Sequence, residues 1–372
     1  MTNPTRRQFV AAVGAATVAA RPVFAATRSP AGSRAAASGD VLLNYNESPY
    51  GPAPGALAAI RGTPVAIASR YFPEDSYDTL RAALAEHHGV TPAHIRVTVG
   101  STEILKVCDD VFLAGGAPLV VAEPAYEAVL QYAANSKAKA TKVPLTPDFR
   151  HDLVRMAGAV TAATGLVYVC NPNNPTATIV RRDALAAFMD RIPRSVTVLV
   201  DEAYAEFVND SAYESAVRYV KDGRNVIVAK TFSKIHGMAG MRVGYAIAPP
   251  EVIARLAPFT TDFAVTGATA NAALASLRDA GYRAEVARRN AARRAEFTAE
   301  MAKLGYACAE SQANFVLVNL KRPVAPVIAA LAKRRVLVGR EFAAMPTFLR
   351  VTLGTADEMQ AFYPAFREVV AG

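Results

Sequence analysis

The sequence predicts an α/β protein, a largely parallel sheet covered by helices on both faces, followed by a smaller α+β part. Short apolar runs at 95–99, 118–122, 166–170, 196–200, 225–229 and 243–248 have the length and branching of buried strands. Amphipathic helix patterns at 102–112, 126–134 and 182–191 fall between them, the alternation of a parallel sheet with crossover helices. Beyond about residue 250 the pattern gives way to Ala- and Arg-rich helical stretches, then strand-like runs at 314–319 and 349–353. With 372 residues and 52% hydrophobic content, the chain can bury one large core and a smaller one. The expected division is a large domain over 71–265 with a mostly parallel sheet, and a small domain made by 266–372 with the N-terminal segment 40–70.

The chain opens on Thr5-Arg6-Arg7-Gln8-Phe9-Val10, then a small-residue apolar run to Ala20, then Val23-Phe24-Ala25 as a cleavage site. This reads as a secretory leader over 1–26, too short and weakly apolar for a membrane span. Its paired arginines resemble a twin-arginine export signal; the alternative is an ordinary basic amphipathic N-terminus, with the protein in the cytoplasm. Residues 27–39, rich in Ala, Ser and Gly, read as a flexible linker. The formal charge is +9, but five arginines and no acid fall in the first 39 residues, leaving +4 for the rest. So mild a balance does not point to nucleic acid. Cys108, Cys170 and Cys308 make no disulfide framework, and neither they nor the five histidines have metal-ligand spacing.

In chain order, Asn44 to Pro52 is a polar, turn-rich entry, and Ser76 caps a helix over 77–87. In an open α/β sheet, ligands gather where strands end at their carboxyl edge, so the residues at each edge matter most. After 95–99 comes Gly100-Ser101-Thr102, opening a helix whose free N–H groups make a phosphate seat or a simple cap. After 166–170 comes Asn171-Pro172-Asn173-Asn174-Pro175-Thr176, a rigid turn that projects an asparagine amide suited to a phenolate oxygen. After 196–200 comes Asp201-Glu202-Ala203-Tyr204, an acid that is either a helix cap or the partner of a buried cation such as a protonated pyridine nitrogen. After 225–229 come Thr231-Phe232-Ser233-Lys234 and then Arg242. That set can hold a phosphorylated aldehyde by its amine while the hydroxyls and arginine take the phosphate; taken alone it reads as a surface lysine in a polar loop, and the four strand ends together favour the cofactor. Pyridoxal 5'-phosphate is the cofactor of that shape.

Through Asn46-Glu47-Ser48-Pro49-Tyr50-Gly51, the Asn173-Asn174-Pro175-Thr176 turn, Asp201-Glu202-Ala203-Tyr204, Ser233-Lys234 with Gly240 to Gly244, and Leu349 to Thr355, the chain resembles the class I/II aminotransferases of fold type I. Among them it is most similar to the histidinol-phosphate aminotransferases, and the resemblance implies a large domain with a mostly parallel seven-stranded sheet beside a small α+β domain. The resemblance implies that Lys234 carries the cofactor as an aldimine and moves the proton, and that Asp201 pairs with the pyridine nitrogen. Asn174 and Tyr204 would hold the ring oxygen, and Tyr126 would stack on the ring. Ser101, Thr102, Thr231, Ser233 and Arg242 would bind the phosphate, completed by Tyr71 from the other subunit of a homodimer. Arg350 would take the substrate carboxylate, with Tyr50 and Arg340 at the substrate side chain. The chain departs from the pattern at Ala177, where the family turn has glycine, and at Val338-Gly339-Arg340, where a glycine separates the family's valine and arginine.

The activity implied is ping-pong transfer of an amino group between an amino acid (or a histidinol-phosphate-like amine) and a 2-oxo acid. The alternative on the same fold is a decarboxylase or β-lyase, which acts without a 2-oxo acid acceptor.

Overall fold

The computed structural model describes residues 39–70, 76–261 and 264–371. The expected leader, all of the linker but Gly39, and Tyr71 lie outside the described residues. Twelve strands are described: β1 (Val41–Leu43), β2 (Ile95–Thr98), β3 (Leu119–Glu123), β4 (Ala140–Pro144), β5 (Leu166–Cys170), β6 (Thr197–Asp201), β7 (Val226–Thr231), β8 (Gly244–Ile247), β9 (Ala307–Cys308), β10 (Phe315–Asn319), β11 (Val336–Val338) and β12 (Phe348–Thr352).

Strands β2 to β8 form one seven-stranded sheet in the order β2-β8-β7-β6-β5-β3-β4. All pairs from β7 to β4 are parallel, and β8 runs antiparallel to both β7 and β2. Every residue of β5, β6 and β7 is buried. That is why these strands read as unbroken apolar runs rather than alternating ones: helices cover both faces. Val167, Val169, Val198, Val200 and Val228 pack on one face, and Leu166, Tyr168, Leu199, Ile227 and Ala229 on the other. The edge strand β4 gives no such signal, because Thr141 and Lys142 are exposed and only Val143 is buried.

Two small sheets lie outside this one. β9, β10 and β12 form an antiparallel sheet, and β1 pairs in parallel with β11, Val41 opposite Val336. Leu43 thereby joins a cluster with Phe297, Val316, Val351, Phe362 and Phe366. The helix Gly267–Arg278, which begins at the expected domain boundary, packs instead with the large sheet. Its Ala270, Ala273 and Leu277 share a buried cluster with Ala53, Ala56, Leu80 and Val228. The helix Pro54–Arg61 belongs to the same cluster, so only the first few residues of the 40–70 segment pack with the C-terminal sheets.

Candidate active site

The carboxyl ends of β5, β6 and β7, with the turn after β2, carry the expected polar residues. Beyond β7, Thr231 Oγ1 donates to Ser233 Oγ at 2.9 Å and accepts from the Ser233 N–H at 3.1 Å. Arg242, in the left-handed region at φ 52°, donates from Nη1 to Ser233 Oγ at 3.3 Å and to the Ala239 carbonyl at 2.7 Å. Its guanidinium lies across the start of the helix Ser101–Phe112. A Cβ on Gly100, where φ is 73°, would sit 2.5 Å from Arg242 Nη2, so glycine is what permits this approach. Two hydroxyls, a guanidinium and the open N–H groups at Ser101 and Thr102 thus face one region, a donor set suited to a phosphate dianion.

Lys234 is half-buried, three residues past the end of β7. Its Nζ donates to the Tyr45 carbonyl at 3.3 Å and lies 5.5 Å from the centre of the Tyr204 ring. Burial, and then the Arg350 guanidinium, push the amine down to about 8, against the pull of Glu47 and Asp201. Asp201 ends β6 and is 4% exposed. Its Oδ2 accepts from the Tyr168 hydroxyl at 3.0 Å and its Oδ1 from the Ala203 N–H at 3.1 Å. Burial pushes this carboxyl up to about 6, and the two hydrogen bonds oppose the rise. The next residue points to the other side of the sheet. Glu202 is fully buried, 3.1 Å from the Lys230 ammonium, and also accepts from Ser215 Oγ and the Ala216 N–H.

The Asn174 side-chain oxygen accepts from Arg350 Nη1 at 2.8 Å, which leaves its amide N–H groups for another acceptor. Arg350 on β12 also donates from Nη2 to the Asn44 carbonyl at 2.8 Å, and its buried Nε has no partner. The guanidinium lies 5.5 Å from the Phe315 ring centre and 5.2 Å from that of Phe342. Burial first, then repulsion from Arg340, lowers it to about 10. Tyr126, half-buried, senses the charges of both Asp201 and Arg350. Tyr50 lies 5.3 Å from the Arg289 guanidinium, and Arg340 is ion-paired with Glu127 and 4.5 Å from the Phe342 ring centre.

Both departures from the family pattern have a local account. Ala177 is fully buried at φ 62°, so its methyl group stands in a backbone region that disfavours it by about 1 kcal/mol. Its N–H and carbonyl are nonetheless both engaged, to Asn173 O and from Gln312 N. At Gly339 a Cβ would lie 2.7 Å from the Arg350 carbonyl and 3.2 Å from Arg350 Nε. The interposed glycine is what lets β11 run on against the arginine of β12.

Sequence reasoning gave no task to three residues here. Asn46, at φ 54°, donates from Nδ2 to the Tyr204 hydroxyl at 3.1 Å and is fixed by two hydrogen bonds with Thr352. Asn44 supplies only a carbonyl, which no side-chain pattern marks. Tyr168 does carry a signal, a hydroxyl in the middle of an otherwise apolar strand run.

An amine able to be neutral near pH 8, an acid held in the same buried wall and a separate anion cradle are the requirements of a pyridoxal-phosphate enzyme, and the sheet carrying them is that of fold type I. The chain belongs to the class I and II aminotransferases, whose family model matches residues 39–366. It is 38% identical over 333 residues to the histidinol-phosphate aminotransferase of Moorella thermoacetica, covering 89% of this chain and 86% of that one. It is 36% identical over 339 residues to an aromatic amino acid aminotransferase of Streptomyces coelicolor, covering 91% and 93%. Among solved structures, the histidinol-phosphate aminotransferase of Sinorhizobium meliloti in complex with pyridoxal-5'-phosphate superposes with a TM-score of 0.82 at 29% identity, over 88% of this chain and 90% of that one. The protein is a pyridoxal-phosphate-dependent aminotransferase.

Proposed function

We propose that the enzyme moves amino groups between an amino acid and a 2-oxo acid, with Lys234 as the amine that holds the cofactor and carries the proton. The observation behind this is the Lys234 amine, three residues past β7, bonded to the Tyr45 carbonyl and 5.5 Å from the Tyr204 ring centre, where burial and the Arg350 charge lower it to about 8. Pyridoxal phosphate, when bound, supplies an aldehyde for amines and an electron-poor ring that stabilises negative charge at the substrate Cα. Thr231, Ser233, Arg242 and the N–H groups of Ser101 and Thr102 would hold its phosphate. Asp201 would hold its ring nitrogen, and Asn174 and Tyr204 its ring oxygen, with Tyr126 against the ring. Arg350 would take the substrate carboxylate by its guanidinium, whose Nη1 and Nη2 here donate to Asn174 and to the Asn44 carbonyl. The neutral Lys234 Nζ then lies on hand to take the Cα proton and return it.

Arg340 is already neutralised by Glu127 and lies over Phe342, which favours an uncharged aromatic side chain over a phosphorylated one. The test is a half-reaction screen, in which the bound cofactor is converted to its amine form by each donor and the spectrum recorded. Conversion by phenylalanine or tyrosine ahead of histidinol phosphate supports the assignment, and the reverse order refutes it. Turnover without any 2-oxo acid, with release of ammonia or carbon dioxide, would make the protein a lyase or decarboxylase instead.

Two further readings complete the proposal. The Arg6-Arg7 leader sends the protein through the twin-arginine route, which suits an enzyme that folds around a cytoplasmic cofactor before export. The enzyme works as a homodimer in which Tyr71 of each subunit reaches the phosphate of the other.

A further inference from the structure

Tyr168 has no part in the reading above, yet it touches the acid at the centre of it. β5 reads Leu-Val-Tyr-Val-Cys, and its register sets Tyr168 beside Leu199, two residues before Asp201. The side chain is fully buried among apolar neighbours that include Val121, Leu199 and Ile227. A phenylalanine would fill this place without burying a hydroxyl, and a buried tyrosine hydroxyl costs free energy unless it finds a partner. Its partner is Asp201 Oδ2, at 3.0 Å.

We propose that Tyr168 is a positioning residue for the cofactor: its hydroxyl fixes the Asp201 carboxylate and keeps it ionised, ready to pair with the pyridine nitrogen. This rests on the reading of Asp201 as that partner. A donor to the charged form of an acid favours that form, so the phenol works against the burial that drives Asp201 towards protonation. The phenol is itself held far above its ordinary value, by burial and then by Asp201, and so keeps the proton it donates. The other groups around Asp201 are Cys170 on β5, Tyr126 after β3, Tyr204 and Glu202 after β6, and Lys234 after β7. Lys234 favours the ionised form by charge, but it is the group that must change partners during the reaction. Only Tyr168 and the Ala203 N–H hydrogen-bond the carboxylate among the described residues.

The test measures the dissociation constant of pyridoxal phosphate from Tyr168→Phe, Asp201→Asn and the double variant between pH 6 and pH 9. Tyr168→Phe is expected to weaken binding roughly tenfold at neutral pH, the size of one hydrogen bond to a charged group. The deficit should shrink as pH rises, because alkali restores the carboxylate that the phenol no longer protects. In the Asp201→Asn background the second substitution should add nothing. An unchanged constant and pH midpoint in Tyr168→Phe would overturn the proposal. So would a deficit equal at every pH and still present beside Asp201→Asn, since the ring would then merely fill space. Full affinity in Asp201→Asn alone would instead overturn the assignment of Asp201 on which the proposal stands.

Discussion

Asp201→Asn should make the cofactor-free protein more stable at neutral pH. Asp201 is buried and its carboxyl is raised from the usual 3.8 to about 6. The folded state therefore binds a proton more readily than the unfolded chain does. Stability is full below the unfolded value, falls as pH climbs from about 4 to about 6, and stays low above that. A shift of about two units amounts to ~3 kcal/mol. Asparagine has no such titration, and it can keep both contacts. Its oxygen accepts the Ala203 N–H, while its amide donates to a Tyr168 hydroxyl that turns to accept. Urea unfolding of both proteins should be followed at several pH values between 4 and 7.5 and at one protein concentration. The variant should gain ~3 kcal/mol at the upper end, and the part of the gap due to ionisation should vanish at the lower. A variant no more stable at pH 7.5, or a difference indifferent to pH, would refute the reasoning.

The other predictions concern the neighbouring charges. Lys230→Met removes the ammonium 3.1 Å from the fully buried Glu202 and 3.3 Å from Glu206 and should cost about 3–5 kcal/mol in urea unfolding; adding Glu202→Gln should recover part of it. Arg350→Lys should lower kcat/KM for the amino acid roughly 10–100-fold, the loss of a charge-assisted fork. Trapping of pyridoxal phosphate on cofactor-free protein by borohydride should speed up as pH rises through about 8, because only the neutral Lys234 amine reacts. Replacing Arg350 with leucine should raise that midpoint, since a repelling cation is gone; a midpoint near the ordinary lysine value in the unaltered protein would contradict the site electrostatics.

The large sheet was legible because its inner strands are buried on both faces and therefore uniformly apolar. Residues 166–170 and 182–191 fall on the strand and helix found, and the other inner strands shift by a residue or two. The edge strand β4 was not legible, since Lys142 and Thr141 meet solvent and three of its five residues are exposed. Nor was β1, whose three residues become a strand only through a partner about 295 positions away in sequence. In the site, side chains following strand ends could be read from their order. Contacts made by main-chain carbonyls, such as Asn44 to Arg350 and Tyr45 to Lys234, have no signature in residue type. The helix Gly267–Arg278 shows the same limit at the scale of packing: its alanines fit either core, and only the fold decides which.

The short stretch leaving β1 has a consequence for how this protein can be handled or matured. Asn44, Tyr45 and Asn46 reach in turn Arg350, Lys234 and Tyr204, so this stretch is woven into the candidate site. A processing protease or a fusion partner must leave Asp40, which pairs with Arg335, and the residues after it in place. Trimming a few residues further would remove β1 and loosen three functional groups at once, although no residue of the chemistry itself would have been cut away.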